Sequence, residues 1–170
     1  MMKLNVQGLI APMVESAFGL ENYIEGLRDY TTPLRFKALE KHINIETVTA
    51  VDQLDAILDS PSAEHIDEIT IGRKDLSRSM DRMVEDPEVD LAIREVVLKV
   101  RSRKITVSIG GGILPNAIGT VIKNHSPDRF NTRILTFAVD SRLSYREAVQ
   151  EALEFEIMAQ KNDAARGFIS

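Results

Sequence analysis

Two carboxylates in this 170-residue chain stand at positions where they could hold a metal ion. Glu46 ends the run Ile43-Asn-Ile-Glu-Thr47, and Asp75 lies just past the Gly72 that ends a second run starting at Ile66. Both runs are rich in β-branched residues, as is typical of parallel strands that are buried on both faces. The residues that follow such strands lie where α/β proteins bind ligands. Two carboxylates at neighbouring strand ends therefore predict a site for a hard cation such as Mg²⁺.

Basic residues follow the second strand directly. Arg73 and Lys74 come immediately after Gly72, so they are placed to neutralise an anionic substrate held by the metal. The alternative is an ordinary solvated loop, because charged connections on protein surfaces are usually solvated. Arg133 lies beside the last predicted strand and needs a partner, which is either a carboxylate of the protein or one of a ligand.

Three further features allow two explanations each. Glu15 also ends a strand-like run and either approaches the same edge of the sheet or, with Ser16, begins the next helix. Gly110–Gly112 either holds an anion through its N–H groups or serves only as a turn. The three histidines, His42, His65 and His125, lie next to predicted turns or strand starts, and we interpret them as solvated.

Length, composition and charge exclude several classes of protein. The chain is long enough for one domain with a real core, and we treat residues 1–170 as that domain. Its net charge of −5 argues against nucleic acid as a partner, and the absence of cysteine excludes disulfides and thiolate metal sites. No apolar run approaches the roughly 18 residues of a membrane span, and the N-terminus is too polar for a signal peptide. We therefore expect no membrane contact and a cytoplasmic location.

Strand-like and helix-like segments alternate five times. The predicted strands are 6–15, 43–46, 66–71, 105–109 and 132–139, and the predicted helices are 17–28, 48–58, 87–103, 115–123 and 144–161. Residues 73–86 are predicted to form a polar loop. This alternation indicates βαβ units and a parallel sheet. The pattern alone favours a five-stranded doubly wound sheet over a piece of a (β/α)8 barrel, which normally needs about 250 residues.

Three stretches resemble the aldolase/citrate lyase family of pyruvate- and phosphoenolpyruvate-type TIM barrels. They are Ile10-Ala-Pro-Met-Val-Glu-Ser16, Ile43-Asn-Ile-Glu-Thr47 and Ile71-Gly-Arg-Lys-Asp-Leu-Ser77. They are similar to the fourth, fifth and sixth strands of that barrel. The resemblance replaces the doubly wound sheet with a partial (β/α)8 barrel that lacks the first three βα units.

The resemblance implies a metal-dependent carbon–carbon lyase or aldolase. Its substrate would be a 2-oxo acid or a related acyl-CoA-type molecule, cleaved or formed through an enolate. Glu46 and Asp75 would bind Mg²⁺ or Mn²⁺, and Gly72, Arg73, Lys74 and Glu15 would bind the substrate. Arg73 and Lys74 are also the candidate catalytic residues. Arg73 departs from the family, which has proline at this position.

The missing units have consequences of their own. In the family they carry a substrate-binding arginine and, in the aldolase branch, an acid/base histidine. An alternative is therefore a catalytically incomplete remnant or subunit that keeps the metal site and needs a partner chain. Five strands of eight should also leave open sheet edges and an uncovered apolar face. We expect a homo-oligomer or a complementing chain, with Phe155 and Met158 of the last helix in the contact.

Overall fold

The protein has a mixed α/β fold built on one six-stranded sheet. The structure, a computed structural model, describes residues 6–140, 142 and 144–168. The strands are β1 (Gly8–Ala11), β2 (Glu40–Ile45), β3 (Glu68–Gly72), β4 (Thr106–Gly110), β5 (Arg129–Asn131) and β6 (Thr136–Ala138). They lie side by side in chain order, β1 to β5 parallel and β6 antiparallel to β5. A doubly wound sheet reverses its strand order at a switch point. The doubly wound alternative is therefore wrong, and the sheet is a curled half-barrel.

The helices cover one side of this sheet. They are α1 (Ala17–Tyr30), α2 (Pro33–Ala38), α3 (Val48–Asp52), α4 (Leu54–Leu58), α5 (Arg73–Ser79), α6 (Pro87–Ser102), α7 (Ile118–His125) and α8 (Tyr145–Ala165), with a 3-10 turn at Pro61–His65. Helix α6 begins as predicted, because the Asp86 side chain accepts a hydrogen bond from the Glu88 N–H at 2.9 Å. Ser144 is the residue that precedes helix α8, but its side chain makes no capping hydrogen bond.

Two other expectations about the elements are wrong. The segment expected to be a polar loop begins with helix α5, whose buried Leu76 packs into the core. The last predicted strand, 132–139, is displaced: the fifth parallel strand is Arg129–Asn131, and Thr136–Ala138 returns antiparallel to it. The rings of Phe130 and Phe137 stack 5.1 Å apart across this hairpin. A strand of three residues is too short to show a recognisable alternation of apolar and polar residues in the sequence.

The helix-facing side of the sheet is apolar. Parallel pairing places Ile45, Ile71, Ile109 and Phe130 level with one another, and each is completely buried. Side chains alternate between the two faces of a strand, so residues paired in register share a face. These four residues belong to one core cluster with residues of the surrounding helices. This burial is the main stabilising contribution to the fold.

The inner face of the sheet is polar. Four residues, each directly preceding one of these apolar residues in the sequence, are also paired in register: Asn44, Thr70, Ser108 and Arg129. They therefore point to the opposite side, the concave face of the half-barrel. The expectation of an uncovered apolar face is wrong for this side of the described sheet, where Ile10 is the exposed large hydrophobic. Thr70 and Ser108 are nevertheless buried, so this polar face is closely packed.

An ion pair spans the concave face. Arg129 Nη1 of β5 lies 2.7 Å from Glu68 Oε2 of β3, across the intervening strand β4. The Glu68 side chain is 5% exposed and that of Arg129 is 40% exposed. Side chains two strands apart can meet in this way because the sheet curls towards its inner side.

The last helix buries one face and exposes another. Val149, Ala152 and Glu156 are buried, whereas Phe155 and Met158 are 48% and 59% exposed. The homo-oligomer proposed through these two residues stays a prediction. Within the described parts of the chain, no helix combines the length and the apolar character needed to span a membrane.

Removing the cation of the inner ion pair should destabilise the fold. Arg129→Met leaves the buried Glu68 carboxylate without its partner, which should lower the free energy of unfolding by about 1–3 kcal/mol. Arg142→Met is the matched control, because Arg142 pairs with Asp140 at the surface and its loss should leave the free energy of unfolding almost unchanged. Urea unfolding of both variants measures the difference. Equal stabilities would show that the inner ion pair does not stabilise the fold.

Candidate active site at the carboxyl edge of the sheet

Glu46 and Gly72 fit against each other where strands β2 and β3 end. The register that pairs Ile45 with Ile71 continues to place Glu46 beside Gly72. A Cβ atom added to Gly72 would lie 2.7 Å from Glu46 Oε2 and 2.8 Å from Glu46 Cβ. A side chain in that space would force Glu46 to move, so the glycine at the end of β3 is what allows the Glu46 carboxylate its position.

The Glu46 carboxylate is buried without a basic partner. The residue is 8% exposed, and its Oε1 accepts a hydrogen bond of 2.9 Å from the Met13 N–H. Met13 adopts a left-handed φ of 55°, which is uncommon for a residue with a side chain. Within the described residues, no Lys, Arg or His nitrogen lies within 4.0 Å of this carboxylate. A buried carboxylate needs a compensating cation or more hydrogen bonds, so Glu46 fits the role of a metal ligand.

Asp75 lies on the next βα unit, in the first turn of helix α5. Its side chain is 55% exposed, and Oδ1 lies 3.7 Å from Arg78 Nη1. The described residues contain no group of three or more His, Asp or Glu that could hold a metal ion. Mg²⁺ needs only one or two carboxylates, because water and substrate oxygens complete its shell. The assignment of Glu46 and Asp75 as a metal pair stays a prediction.

A cavity of about 590 Å³ opens beside Asp75, and we call it the mouth cavity. Its lining includes Lys74, Arg78 and Arg133. Arg133 has no acidic partner within 4.0 Å among the described residues, which favours the ligand-binding explanation over the structural salt bridge. The carboxylates of Asp75 and Glu156 also line the cavity, and Asp75 faces Arg78. The cationic side chains of Lys74 and Arg133 have no such partner among the described residues and favour an anionic ligand.

The glycine run after β4 keeps the mouth cavity open. Gly111 has a φ of +79°, and a Cβ atom there would lie 2.8 Å from the Lys74 backbone nitrogen. No side chain caps helix α5, whose first turn contains Arg73 and Lys74. The glycines form a turn, and this turn leaves the first backbone amides of α5 uncovered. A role as a turn and a role in ligand binding are therefore compatible.

Arg73 and Lys74, which are adjacent in the sequence, line different cavities in the structure. Lys74 lines the mouth cavity, whereas Arg73 is 7% exposed as a residue and lines a different cavity between helices α5, α6 and α7. The substrate-binding role expected of Arg73 stays a prediction that this placement does not favour. Glu15 Oε1 accepts a 2.6 Å hydrogen bond from Thr47 Oγ1, and Ser16 alone caps helix α1. Glu15 therefore orients the residue that follows Glu46.

Some residues of the site were not recognised in the sequence. Glu156 of α8 is buried, and its Oε1 accepts hydrogen bonds from Thr132 Oγ1 at 2.6 Å and from the Ile134 N–H at 3.1 Å. It thereby fixes the loop that carries Arg133. The available signal in the sequence was that Glu156 is a single carboxylate on the apolar face of the last helix. His125 was also misjudged, because its side chain is 3% exposed rather than solvated.

Comparison with known proteins identifies the family. The profile of the HpcH/HpaI aldolase/citrate lyase family matches residues 1–111 of this chain. The chain belongs to that family. The resemblance drawn from the sequence is confirmed. No curated protein matches the chain.

Solved structures of family members share the fold. An HpcH/HpaI aldolase from Desulfitobacterium hafniense DCB-2 has a TM-score of 0.61 at 17% identity, over 92% of this chain and 64% of its own. An HpcH/HpaI aldolase/citrate lyase family protein from Burkholderia cenocepacia J2315 has a TM-score of 0.61 at 16% identity, over 89% and 65%. A citrate lyase from Burkholderia xenovorans LB400 reaches 0.64 at 12% identity, over 95% and 56%. The chain thus spans 56–65% of the length of these structures.

Filling the space at Gly72 should displace Glu46. Gly72 has an ordinary φ of −86°, so Gly72→Ala acts through the added methyl group and should lower the free energy of unfolding by about 1–3 kcal/mol. Gly26→Ala is the control, since nothing lies within 4 Å of a Cβ there and helix α1 should gain about 0.5–1 kcal/mol. Chemical denaturation measures both changes. A Gly72→Ala variant as stable as the wild type would contradict the close packing described here.

Proposed function

We propose that this chain carries the metal site of a carbon–carbon lyase that acts on a 2-oxo acid or a related acyl substrate. Membership of the HpcH/HpaI aldolase/citrate lyase family supports the reaction class. The observation that carries the metal site is the buried Glu46 carboxylate, which has no basic partner among the described residues. In this proposal the strands correspond to the last five βα units of a (β/α)8 barrel, and β6 is an addition.

Different residues of the chain would bind the metal ion and hold its ligands in place. Glu46 and Asp75 would hold Mg²⁺ or Mn²⁺, which when bound supplies a Lewis acid that polarises the 2-oxo group and stabilises negative charge on its oxygen. The Met13 N–H fixes one oxygen of Glu46 and leaves the other free. Glu15 holds Thr47, whose hydroxyl caps the following helix by accepting from the Ala50 N–H at 3.1 Å. The Glu46 side chain and the residue that follows it are thereby held in place.

The substrate carboxylate would lie at the start of helix α5. The backbone N–H groups around Gly72 to Lys74 face it, and Gly111 leaves the space beside them open. Lys74, Arg78 and Arg133 would then bind the distal end of the substrate across the mouth cavity. Their positive charges favour a second anionic group there, because charge-assisted hydrogen bonds are stronger than neutral ones.

A catalytically incomplete chain is the second candidate. The chain spans 56–65% of the solved structures that it resembles. In this candidate, the remaining residues of the site come from a partner chain. Helix α8 offers a surface for such a partner, since Phe155 and Met158 are exposed. This candidate keeps the metal site and predicts metal binding without turnover.

Metal binding tests both candidates at once. Glu46→Gln and Asp75→Asn should each abolish Mg²⁺ binding in a calorimetric titration, because each removes one of two carboxylate ligands. Both variants should stay folded, since neither substitution removes an apolar side chain from the core. Glu21→Gln on helix α1 changes a carboxylate away from the site and should bind Mg²⁺ like the wild type. Unchanged binding by the first two variants would reject the site.

Proton exchange separates the lyase from the incomplete chain. The proposed lyase should catalyse Mg²⁺-dependent deuterium exchange at the methyl group of pyruvate, because stabilising an enolate needs the cation and positioned N–H groups. Asp75→Asn should remove this exchange, as followed by proton NMR. Metal binding without exchange would support the incomplete chain. Complete aldol cleavage at about 1–10³ s⁻¹ by the chain alone would reject it.

A further inference from the structure

Glu156 is a buried carboxylate at the mouth cavity to which the proposed lyase chemistry gives no role. It lines this cavity from helix α8, yet the residue is only 6% exposed. Within the part of the chain that the structure describes, no Lys, Arg or His nitrogen lies within 4.0 Å of its carboxylate. A buried carboxylate is unfavourable unless hydrogen bonds replace the water that it loses. The hydrogen-bond partners of Glu156 therefore indicate what the residue does.

Both of these partners belong to the turn that joins β5 to β6. Glu156 Oε1 accepts a hydrogen bond from Thr132 Oγ1 at 2.6 Å and another from the Ile134 N–H at 3.1 Å. The turn itself is closed by the Thr132 N–H, which donates to the Leu135 carbonyl oxygen at 2.9 Å. Arg133 lies between the two residues that Glu156 binds. One carboxylate oxygen thus holds both chain neighbours of Arg133.

Helix α8 is itself anchored to the sheet. Its buried residues are Val149, Ala152 and Glu156, and their spacing of three and four places them on one face of the helix. Near the start of the helix, the Tyr145 ring packs edge-on against the ring of Phe130 in β5, with the centroids 5.8 Å apart. The turn is therefore held by a packed helix as well as by the three-residue strands β5 and β6.

The turn places Arg133 at the mouth cavity. Arg133 is exposed and lines the cavity together with Lys74. Because the strands lie in chain order, Gly111 and Gly112 at the end of β4 lie between the segments that carry these two cations. A guanidinium binds a carboxylate most strongly through two parallel hydrogen bonds, and this geometry requires a defined orientation. The orientation of Arg133 depends on the turn that Glu156 holds.

We propose that Glu156 is a positioning residue that holds Arg133 at the mouth cavity and thereby makes the site select 2-oxo acids with a second, distal carboxylate. This inference rests on the proposed function, in which the distal end of the substrate reaches this cavity. Glu156 acts through the turn, because its Oε1 is bound to Thr132 and Ile134. Its negative charge opposes an anionic ligand. The selectivity therefore depends on the acceptor oxygen of Glu156 and not on its charge.

Hydrogen exchange without ligand tests the positioning. The Ile134 amide, followed by NMR, should exchange at least about tenfold faster in Glu156→Met, which nearly keeps the side-chain volume and removes the acceptor. Glu156→Gln keeps a carbonyl oxygen, so its Ile134 amide should exchange as in the wild type. Glu151→Gln, on the exposed side of α8, is the matched control for the loss of charge. Equal rates in the wild type and in Glu156→Met would overturn the positioning role.

Calorimetric titration with 2-oxoglutarate and 2-oxovalerate, both in Mg²⁺, tests the selectivity. The two acids share the 2-oxo acid group and the length of the carbon chain, and only 2-oxoglutarate has a distal carboxylate. The wild type should bind 2-oxoglutarate about tenfold to a hundredfold more tightly, through an added charge-assisted pair. Arg133→Met and Glu156→Met should each reduce this preference to less than about threefold. Glu156→Gln should keep it, as should Arg146→Met, which changes an exposed arginine of α8 outside the cavity lining.

The outcomes separate this inference from the proposed function. Equal affinity of the wild type for both acids, with the exchange of pyruvate protons retained, overturns the selectivity and leaves the lyase standing. No binding of either acid rejects the lyase and this inference with it. A preference lost equally in Glu156→Gln and Glu156→Met would assign the effect to charge and overturn the positioning role. If Glu156→Met fails to fold, Thr132→Val removes one of the two donors to Glu156, and an unchanged preference in that variant overturns the inference.

Discussion

The parallel register of the sheet is the constraint on which the rest of this structure depends. Because strands β1 to β4 pair in phase and their side chains alternate, the parity of a residue decides which side of the sheet it faces. Ile45 and Ile71 face the helices and form the core, whereas Glu46 and Gly72, one position later, face the inner side. A slip of one residue would exchange these sets, so the core that stabilises the sheet also fixes the site.

The same register explains why small residues surround Glu46. The curled sheet crowds its inner side, as the contact of Arg129 with Glu68 across a strand shows. A carboxylate fits at the end of β2 only because its neighbour on β3 is Gly72. Gly111 follows the same rule at the end of β4, where a side chain would meet the backbone of Lys74. Space for a ligand at this edge is therefore produced by missing side chains rather than by a loop that opens.

The charged residues at the start of helix α5 point in different directions. Arg73 turns outward into the helical layer, and Lys74 and Asp75 turn towards the mouth cavity. Successive residues of a helix are about 100° apart, so the side chains of Arg73 and Lys74 leave the helix in different directions. In the family pattern, proline stands at the position of Arg73, and proline has no polar group to bury. The buried Arg73 and the cavity between helices α5, α6 and α7 are thus features of this chain that the family resemblance does not explain.

The sequence by itself determined the family, the alternation of strands with helices and the positions of Glu46, Gly72 and Asp75, because strand ends and motif spacing are local properties. It could not decide the order of strands, since open sheets and barrels share the same βα pattern. Only the tertiary structure showed that Arg73 and Lys74 diverge, that His125 is buried beside Asp90, and that Glu156 holds the loop of Arg133. The contacts of Glu156 and His125 join residues 22 to 35 positions apart, and the packing of helices on a curled sheet, rather than local propensity, brings them together.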